Sequence, residues 1–415
     1  MRRRPSALIA VLSLGLISNG AALAESPSIP GLLRHVDNGG IVVTHQGEAL
    51  YSHRATERFV PASTLKLATA LAALHYLGAD YRYTTEVYAS VDGDLILRGY
   101  GDPFLVSEEW ELLVERLVAT GELPTEIGDL YLDDTAFAAI EIPGIATTLN
   151  PYDASNGALA ANFNTVHVRV ERGGRVTSAE AQTPLTPLAR RLAGRLSAGR
   201  HRINISKQPE APVRYAGELA AAFLARAGHP VGGEIGRREV AETDRLIYTH
   251  RNSRELEEII AGMMKYSNNF IANQLLLAIG LETAGEPVTL AASVEALEQF
   301  LLAELGLDRD AFQVVEGSGI SRQNRFTPQA LASVVEAFHP HRHLLTPQGE
   351  VPLKTGTLSG VYALAGFLPS EHRLGFVILL NQKRNTRDGA LGVLERHVSR
   401  TFEPMAEAAS AKPDR

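Results

Sequence analysis

Three short polar patterns follow one another along the chain: Ser63-Thr64-Leu65-Lys66, Ser267-Asn268-Asn269 and Lys354-Thr355-Gly356. Each alone is weak evidence, because such spacings arise by chance; their ordered coincidence is the signal. A serine hydroxyl attacks a carbonyl poorly unless a neighbouring base takes its proton. A lysine can be that base when burial or a nearby cation makes it neutral, whereas an arginine stays charged. The chain has only six lysines among its 40 basic residues, and two of the six are Lys66 and Lys354. The chemistry this combination permits is acyl transfer through a serine.

The residue types suggest a division of labour. Ser63 is the candidate nucleophile and Lys66 its base, with Lys354 depressing the Lys66 pKa. Ser267 offers a hydroxyl to pass the proton towards a leaving amine, and Asn269 an amide to orient Lys66 and the substrate backbone. Lys354 and Thr355 suit a substrate carboxylate, and Gly356 would let an extended substrate lie close to a strand edge. The backbone N–H groups of Ser63 and Thr357 are the natural pair for a developing oxyanion.

Elements of the right kind flank these residues. Alternating apolar positions on either side of Gln46-Gly47-Glu48 predict a hairpin over 41–60. Pro61 and the helical spacing of Leu67, Ala70, Leu71 and Leu74, ending at Gly78, make Ser63 open a helix with Lys66 one turn along the same face. A second helix is expected from Asn252, capped together with Glu255, and it breaks at Ser267-Asn268-Asn269 before another helical run over 270–280. That break places Ser267 and Asn269 on a connection able to point into a cleft. A strand over 351–368, a neighbour over 374–380 and a terminal helix over 388–402 complete the reading.

Between the first and second patterns, residues 79–245 change character. Short alternating runs, a turn signal at Asp92-Gly93 and helix-like segments over 109–119 and 217–228 predict an inserted, mainly β, domain. The catalytic unit would then comprise 25–78 and 246–404, with a disordered tail over 405–415. The amino terminus, with Arg2, Arg3 and Arg4, an apolar run over 7–17 and Ala22-Leu23-Ala24, predicts an export signal over 1–24. The expected location is therefore periplasmic. The apolar run is too short to span a bilayer.

The chain contains no cysteine, which removes disulfides and thiol chemistry from consideration. A modest net charge of −7 without a basic run argues against nucleic acid. No cofactor is indicated. No zinc spacing of the H-E-x-x-H kind is present, and His339, His341 and His343 read as a solvated loop rather than a metal site. Gly99-Tyr100-Gly101-Asp102 reads as a turn, since a nucleotide loop would need a third glycine and a strand-to-helix context.

With those residues in view, the chain resembles the class C low-molecular-mass penicillin-binding proteins, D-alanyl-D-alanine carboxypeptidases and endopeptidases. Beyond the three patterns the likeness includes Gly99-Tyr100-Gly101-Asp102-Pro103, Gly128-Asp129-Leu130-Tyr131-Leu132-Asp133-Asp134, Asn162-Phe163-Asn164, Gly317-Ser318-Gly319-Ile320-Ser321-Arg322 and the run from Lys354 to Val361. The resemblance implies an α+β fold of β-lactamase/transpeptidase type, an antiparallel sheet flanked by helices with a large insertion after the nucleophile helix. It implies a serine-type D-Ala-D-Ala carboxypeptidase with peptidoglycan stem peptides as substrates and β-lactams as covalent inhibitors. Ser63, Lys66, Ser267, Asn269 and Lys354 match the catalytic set, and Thr355, Gly356 and Thr357 the substrate-binding strand. Asp153 falls where some members bring a residue of the insert towards the peptide side chain; an ordinary turn aspartate is the alternative. Asn268 stands where an aspartate is frequent, and the connection from Arg325 to Lys354 is short for the family. A β-lactamase and a non-hydrolytic wall-binding protein are the competing readings.

Overall fold

The computed structural model describes residues 28–410; the expected export signal lies outside them. A six-stranded antiparallel sheet forms the platform, in the spatial order Thr346–Gln348, Val351–Leu358, Val361–Phe367, Leu374–Leu380, Gly39–His45, Glu48–His53. Its central strands are buried on both faces, so alternation there sorts residues between two cores rather than between core and water. Val42, Ala363, Ala365, Val377 and Leu379 join one core with the helices Lys66–Leu77, Leu256–Tyr266, Asn269–Ala284 and Pro328–Phe338. Ile41, Val43, Leu364, Phe376, Ile378 and Leu380 face the other, covered by the helix Arg387–His397.

One difference from expectation lies within this sheet. The stretch read as a single strand over 351–368 is a hairpin, with Val351–Leu358 and Val361–Phe367 paired antiparallel and Gly360 at φ 71° in the turn. Only the short pair Ser359-Gly360 marks the reversal between two runs that both read as strand. Past the sheet, the terminal helix runs from Arg387 to His397, and the segment expected to be disordered from 405 is helical from Glu403 to Ser410.

The inserted unit leaves after the nucleophile helix, which ends at Gly78 (φ 87°). Its strands form a five-stranded sheet in the order Arg245–Arg251, Thr84–Ala89, Leu95–Gly99, Leu130–Asp133, Ile235–Arg237, and a three-stranded sheet centred on Thr165–Val170. The strand Arg245–Arg251 pairs with Thr84–Ala89, so the sheet of the insert extends past the expected boundary at 245. The helices Ser107–Thr120 and Ala211–Arg226 pack on these sheets around a separate core that includes Trp110, Leu132, Val168 and Tyr215.

The outgoing and returning chains run side by side: Asn252 N donates to Tyr83 O at 2.9 Å, Leu256 N to Tyr81 O at 2.8 Å and Glu257 N to Ala79 O at 3.1 Å. Asn252 itself does not start the next helix. Its side chain is buried and donates to Asp102 Oδ2 at 2.8 Å, while Glu255 and Glu258 form the reciprocal cap. The helix Asn269–Ala284 is also tied to the insert, because Gln274 Nε2 donates to Gly101 O at 2.9 Å and Gly157 O at 3.0 Å.

Candidate active site

Ser63 lies in a 3₁₀ turn, Ala62–Leu65, that leads directly into the helix beginning at Lys66. The helix expected from Ser63 therefore starts with a tighter turn, and Lys66 is its first α-helical residue. The turn is held from several sides. Thr64 Oγ1 donates to Pro61 O at 2.7 Å. A Cβ placed on Gly356 would stand 2.9 Å from Pro61 O and 3.0 Å from Ser63 N, and one on Gly319 would stand 1.9 Å from Ala62 O. Gly356 is thus required by the close approach of its strand to the nucleophile turn, which differs from its expected role of leaving room for substrate.

The Lys66 amine is wholly buried and makes three contacts: Ser63 Oγ at 3.0 Å, Asn269 Oδ1 at 2.8 Å and Ser318 O at 2.6 Å. Burial, and then the charge of Lys354, hold its pKa well below the ordinary lysine value, while Glu316 pulls the other way. A neutral amine has two N–H bonds and one lone pair. It can keep both oxygen acceptors, Asn269 and Ser318, and turn the lone pair towards the Ser63 hydroxyl.

Ser267 ends the helix Leu256–Tyr266 in the left-handed region, φ 51°. Asn268 then turns its side chain to accept from Ile271 N at 3.1 Å, capping the next helix, so it serves the backbone rather than the cleft. This kink aims Ser267 at the third pattern: Lys354 Nζ donates to Ser267 Oγ at 2.9 Å and to Thr355 O at 2.8 Å. Burial and the neighbouring Arg387 push the Lys354 pKa down to about 8. The structure therefore gathers Ser63, Lys66, Ser267, Asn269 and Lys354 into one cluster from four separate elements, with Thr355, Gly356 and Thr357 on the strand beside it.

Asp153 is placed differently. It is buried in its own loop, where it accepts from Ala146 N at 3.2 Å and from the Thr148 hydroxyl. Both carboxylate oxygens are engaged in holding residues 146–153, which matches the turn-aspartate alternative. Among the described residues no group of three or more His, Asp or Glu is arranged to hold a metal; His343 pairs instead with Glu257 at 2.8 Å.

Two residues escaped the sequence reading. Glu316 is completely buried and accepts from Ser318 N, Ser318 Oγ, Gly319 N, Ser321 N and Asn324 Nδ2 at 2.6–3.3 Å. It shapes the turn that presents the Ser318 carbonyl to Lys66. An acidic residue directly before Gly317-Ser318-Gly319, where closely spaced N–H groups can converge, was the available signal. Arg387 donates to Gly356 O at 2.8 Å and Thr357 Oγ1 at 2.7 Å. It is far along the chain from Lys354, and nothing local marks it.

With this geometry in place, the comparisons are consistent with it. The chain belongs to the D-Ala-D-Ala carboxypeptidase 3 (S13) family, whose model matches residues 21–188, 188–346 and 338–397. A D-alanyl-D-alanine carboxypeptidase of an Actinomadura species is 30% identical over 87% of this chain and 80% of its own length. The D-alanyl-D-alanine carboxypeptidase DacB of Haemophilus influenzae is 23% identical over 86% of each chain. The crystal structure of penicillin binding protein 4 from Haemophilus influenzae superposes with a TM-score of 0.72 at 20% identity, over 90% of this chain and 98% of that one. The fold is thus the α+β arrangement of that family, an antiparallel sheet between helices with an inserted, mostly β region.

Proposed function

We propose that this protein is a serine D-Ala-D-Ala carboxypeptidase, with endopeptidase capacity, that acts on peptidoglycan stem peptides through an acyl-enzyme on Ser63 with Lys66 as general base. The observation that carries the reading is the buried Lys66 amine, disposed to be neutral by burial and Lys354, at 3.0 Å from the Ser63 hydroxyl. The names of its relatives support the substrate class.

In this scheme Lys66 accepts the Ser63 proton as Oγ attacks the carbonyl of the penultimate D-alanine. The negative charge developing on the carbonyl oxygen is met by the N–H groups of Ser63 and Thr357. Collapse of the tetrahedral intermediate breaks the C–N bond, and the leaving nitrogen receives a proton through Ser267. Water then attacks the ester, releasing the shortened peptide and restoring Ser63. A β-lactam would enter the same first step and remain bound as an ester. Export to the periplasm, proposed from the amino-terminal sequence, would place the protein beside its polymer.

Purified mature protein given a D-Ala-D-Ala tripeptide, a pentapeptide muropeptide and a cross-linked dimer should release D-alanine or cleave the dimer, with products followed by chromatography. Both activities should stop in Ser63→Ala. Penicillin acylation without turnover of any of the three would overturn the enzyme reading in favour of a binding protein. Rapid penicillin hydrolysis would favour a β-lactamase.

A further inference from the structure

We propose that Arg169 and Arg200, with Arg172 beside them, form a carboxylate-binding patch on the insert that holds a second stem peptide of the polymer while the cleft works on the first. The inference rests on the proposed peptidase reading for the identity of the ligand, and the patch lies outside the site already described.

The outer face of the three-stranded sheet carries these residues. Strand Thr165–Val170 pairs antiparallel with Gly199–Asn204, and Val166, Val168, Val170 and Ile203 turn to the core of the insert. Alternation puts His167, Arg169, Arg200 and Arg202 on the other face, with His167 opposite Arg202 and Arg169 opposite Arg200. Like charges directly opposite each other weaken a sheet unless an acid stands between them. The first pair has one: Glu180 Oε1 accepts from Arg202 Nη2 and lies 3.2 Å from His167 Nδ1. The second pair has none. Glu171 lies within reach of the charge of Arg169, but Arg175 already holds both of its oxygens, at 2.6 and 2.9 Å. Among the described contacts no hydrogen bond or ion pair engages Arg169, Arg172 or Arg200, and all three are exposed around one shallow groove. In a chain of net charge −7 this is a local excess of positive charge, built from guanidinium groups.

The patch points away from the host. At the other end of its strand Asn204 N donates to Leu149 O at 2.9 Å, and the loop that follows Leu149 reaches the host where Asn156 Nδ2 donates to Phe270 O at 2.9 Å. Arg200 is roughly 14 Å farther out along the strand from Asn204. Guanidinium groups favour a planar anion that can accept two hydrogen bonds side by side, which a carboxylate is. Substrate and product of the proposed reaction both end in a carboxylate, so a polymer bearing many stem peptides offers a row of them. Two attachment points on one polymer raise the effective concentration of scissile bonds at Ser63 with no change in the cleft. An anionic membrane fits less well: the other residues of the groove include Val170, which is buried, and the small Ala198 and Gly199, so no large apolar side chain is presented for insertion among headgroups.

The test compares polymer with soluble peptide. The mature protein and Arg169→Gln/Arg200→Gln would be co-sedimented with purified insoluble peptidoglycan at about 0.05 and about 0.3 M sodium chloride. At the lower salt the double variant should bind about threefold to thirtyfold more weakly than the parent, and the difference should shrink at the higher salt. Parent and variant should bind alike to polymer whose carboxyl groups have been amidated. Turnover of a soluble D-Ala-D-Ala tripeptide should change less than about twofold, while D-alanine release from the polymer falls with binding. Equal binding of parent and variant to the native polymer, a difference that survives amidation, or arginine-dependent binding to phosphatidylglycerol vesicles in place of the polymer would overturn the patch. Should the double variant melt early, Arg200→Thr, a strand-compatible replacement of one arginine, carries the comparison, and unchanged polymer binding by it would overturn the patch too. If the protein turned over no peptide yet kept arginine-dependent binding to the polymer, the peptidase reading would fail and the patch would stand.

Discussion

The shortest contact of the Lys66 amine is with the Ser318 carbonyl, at 2.6 Å, and not with the serine it would activate. That carbonyl belongs to a turn folded around Glu316, whose two oxygens take five hydrogen bonds in a fully buried setting. Glu316→Gln puts an amide N–H against N–H donors. The cost should reach about 3 kcal/mol or more, since buried donors lose an ionic acceptor. Thermal unfolding should shift down, and labelling by a fluorescent penicillin should slow by about tenfold as the Ser318 carbonyl moves.

Lys66→Arg should reduce penicillin acylation by about a hundredfold or more, the usual scale for removing a general base. Arginine keeps its proton and is too bulky for the sealed space between Ser63, Asn269 and Ser318. Lys354→Arg should be milder and should act on substrate capture. Stopped-flow labelling measures both; an exchange of phenotypes would mean that the two lysines have been assigned in reverse.

The pH profile should show the Lys354 charge. Its pKa lies at about 8, so a carboxylate ligand meets a cation below that value and a neutral amine above it. Acylation at limiting penicillin concentration should fall as pH rises through about 8. Lys354→Arg, charged throughout, should lose that alkaline limb. The lowered Lys66 pKa acts in the other direction, because protonation at falling pH removes the base. Rates measured from pH 5 to 10 would check both signs.

Gly356→Ala should leave a folded protein with impaired acylation. Its Cβ would meet the Pro61 carbonyl and Ser63 amide at 2.9–3.0 Å, so strand and nucleophile turn must separate slightly, at about 1–3 kcal/mol. Gly319→Ala should be worse, because its Cβ would lie 1.9 Å from Ala62 O and its φ is +81°. Melting curves and labelling rates should rank wild type above Gly356→Ala, and Gly356→Ala above Gly319→Ala.

Asp153→Ala should cost about 1–3 kcal/mol through the orphaned Ala146 N–H and Thr148 hydroxyl, yet leave the rate of penicillin acylation within about twofold. A large loss of peptide turnover without loss of stability would return Asp153 to the substrate.

The parts of the site legible in the sequence are those encoded locally. Ser63 and Lys66 are one helical turn apart, and a break between two helical runs places Ser267 and Asn269 at a kink. Their meeting could be inferred because each motif fits the chemistry of the others. The paired strands over 351–367 were harder to separate, since the reversal between them is only the two residues Ser359-Gly360. Asn252 suits a helix cap by type, but its amide donates to Asp102 of the insert and its oxygen holds only the turn at Arg254, leaving the cap to Glu255. Glu316 and Arg387 act through convergence of backbone N–H groups and of sheet and helix, neither of which has a residue spacing to read.

The ladder between residues 79–83 and 252–257 gives the insert the form of a graft whose two cut ends are already sutured. The host backbone resumes close to where it left off, so the loop entropy of 168 intervening residues is confined largely to the graft itself. Length can then be gained or lost at the far edge of that lobe while Ser63 and Ser267 keep their separation. The seam also offers engineers a place to exchange the whole lobe with a short linker, provided that Asn252 and Gln274, which would lose Asp102 and the Gly101 carbonyl, are given new partners or replaced by apolar side chains.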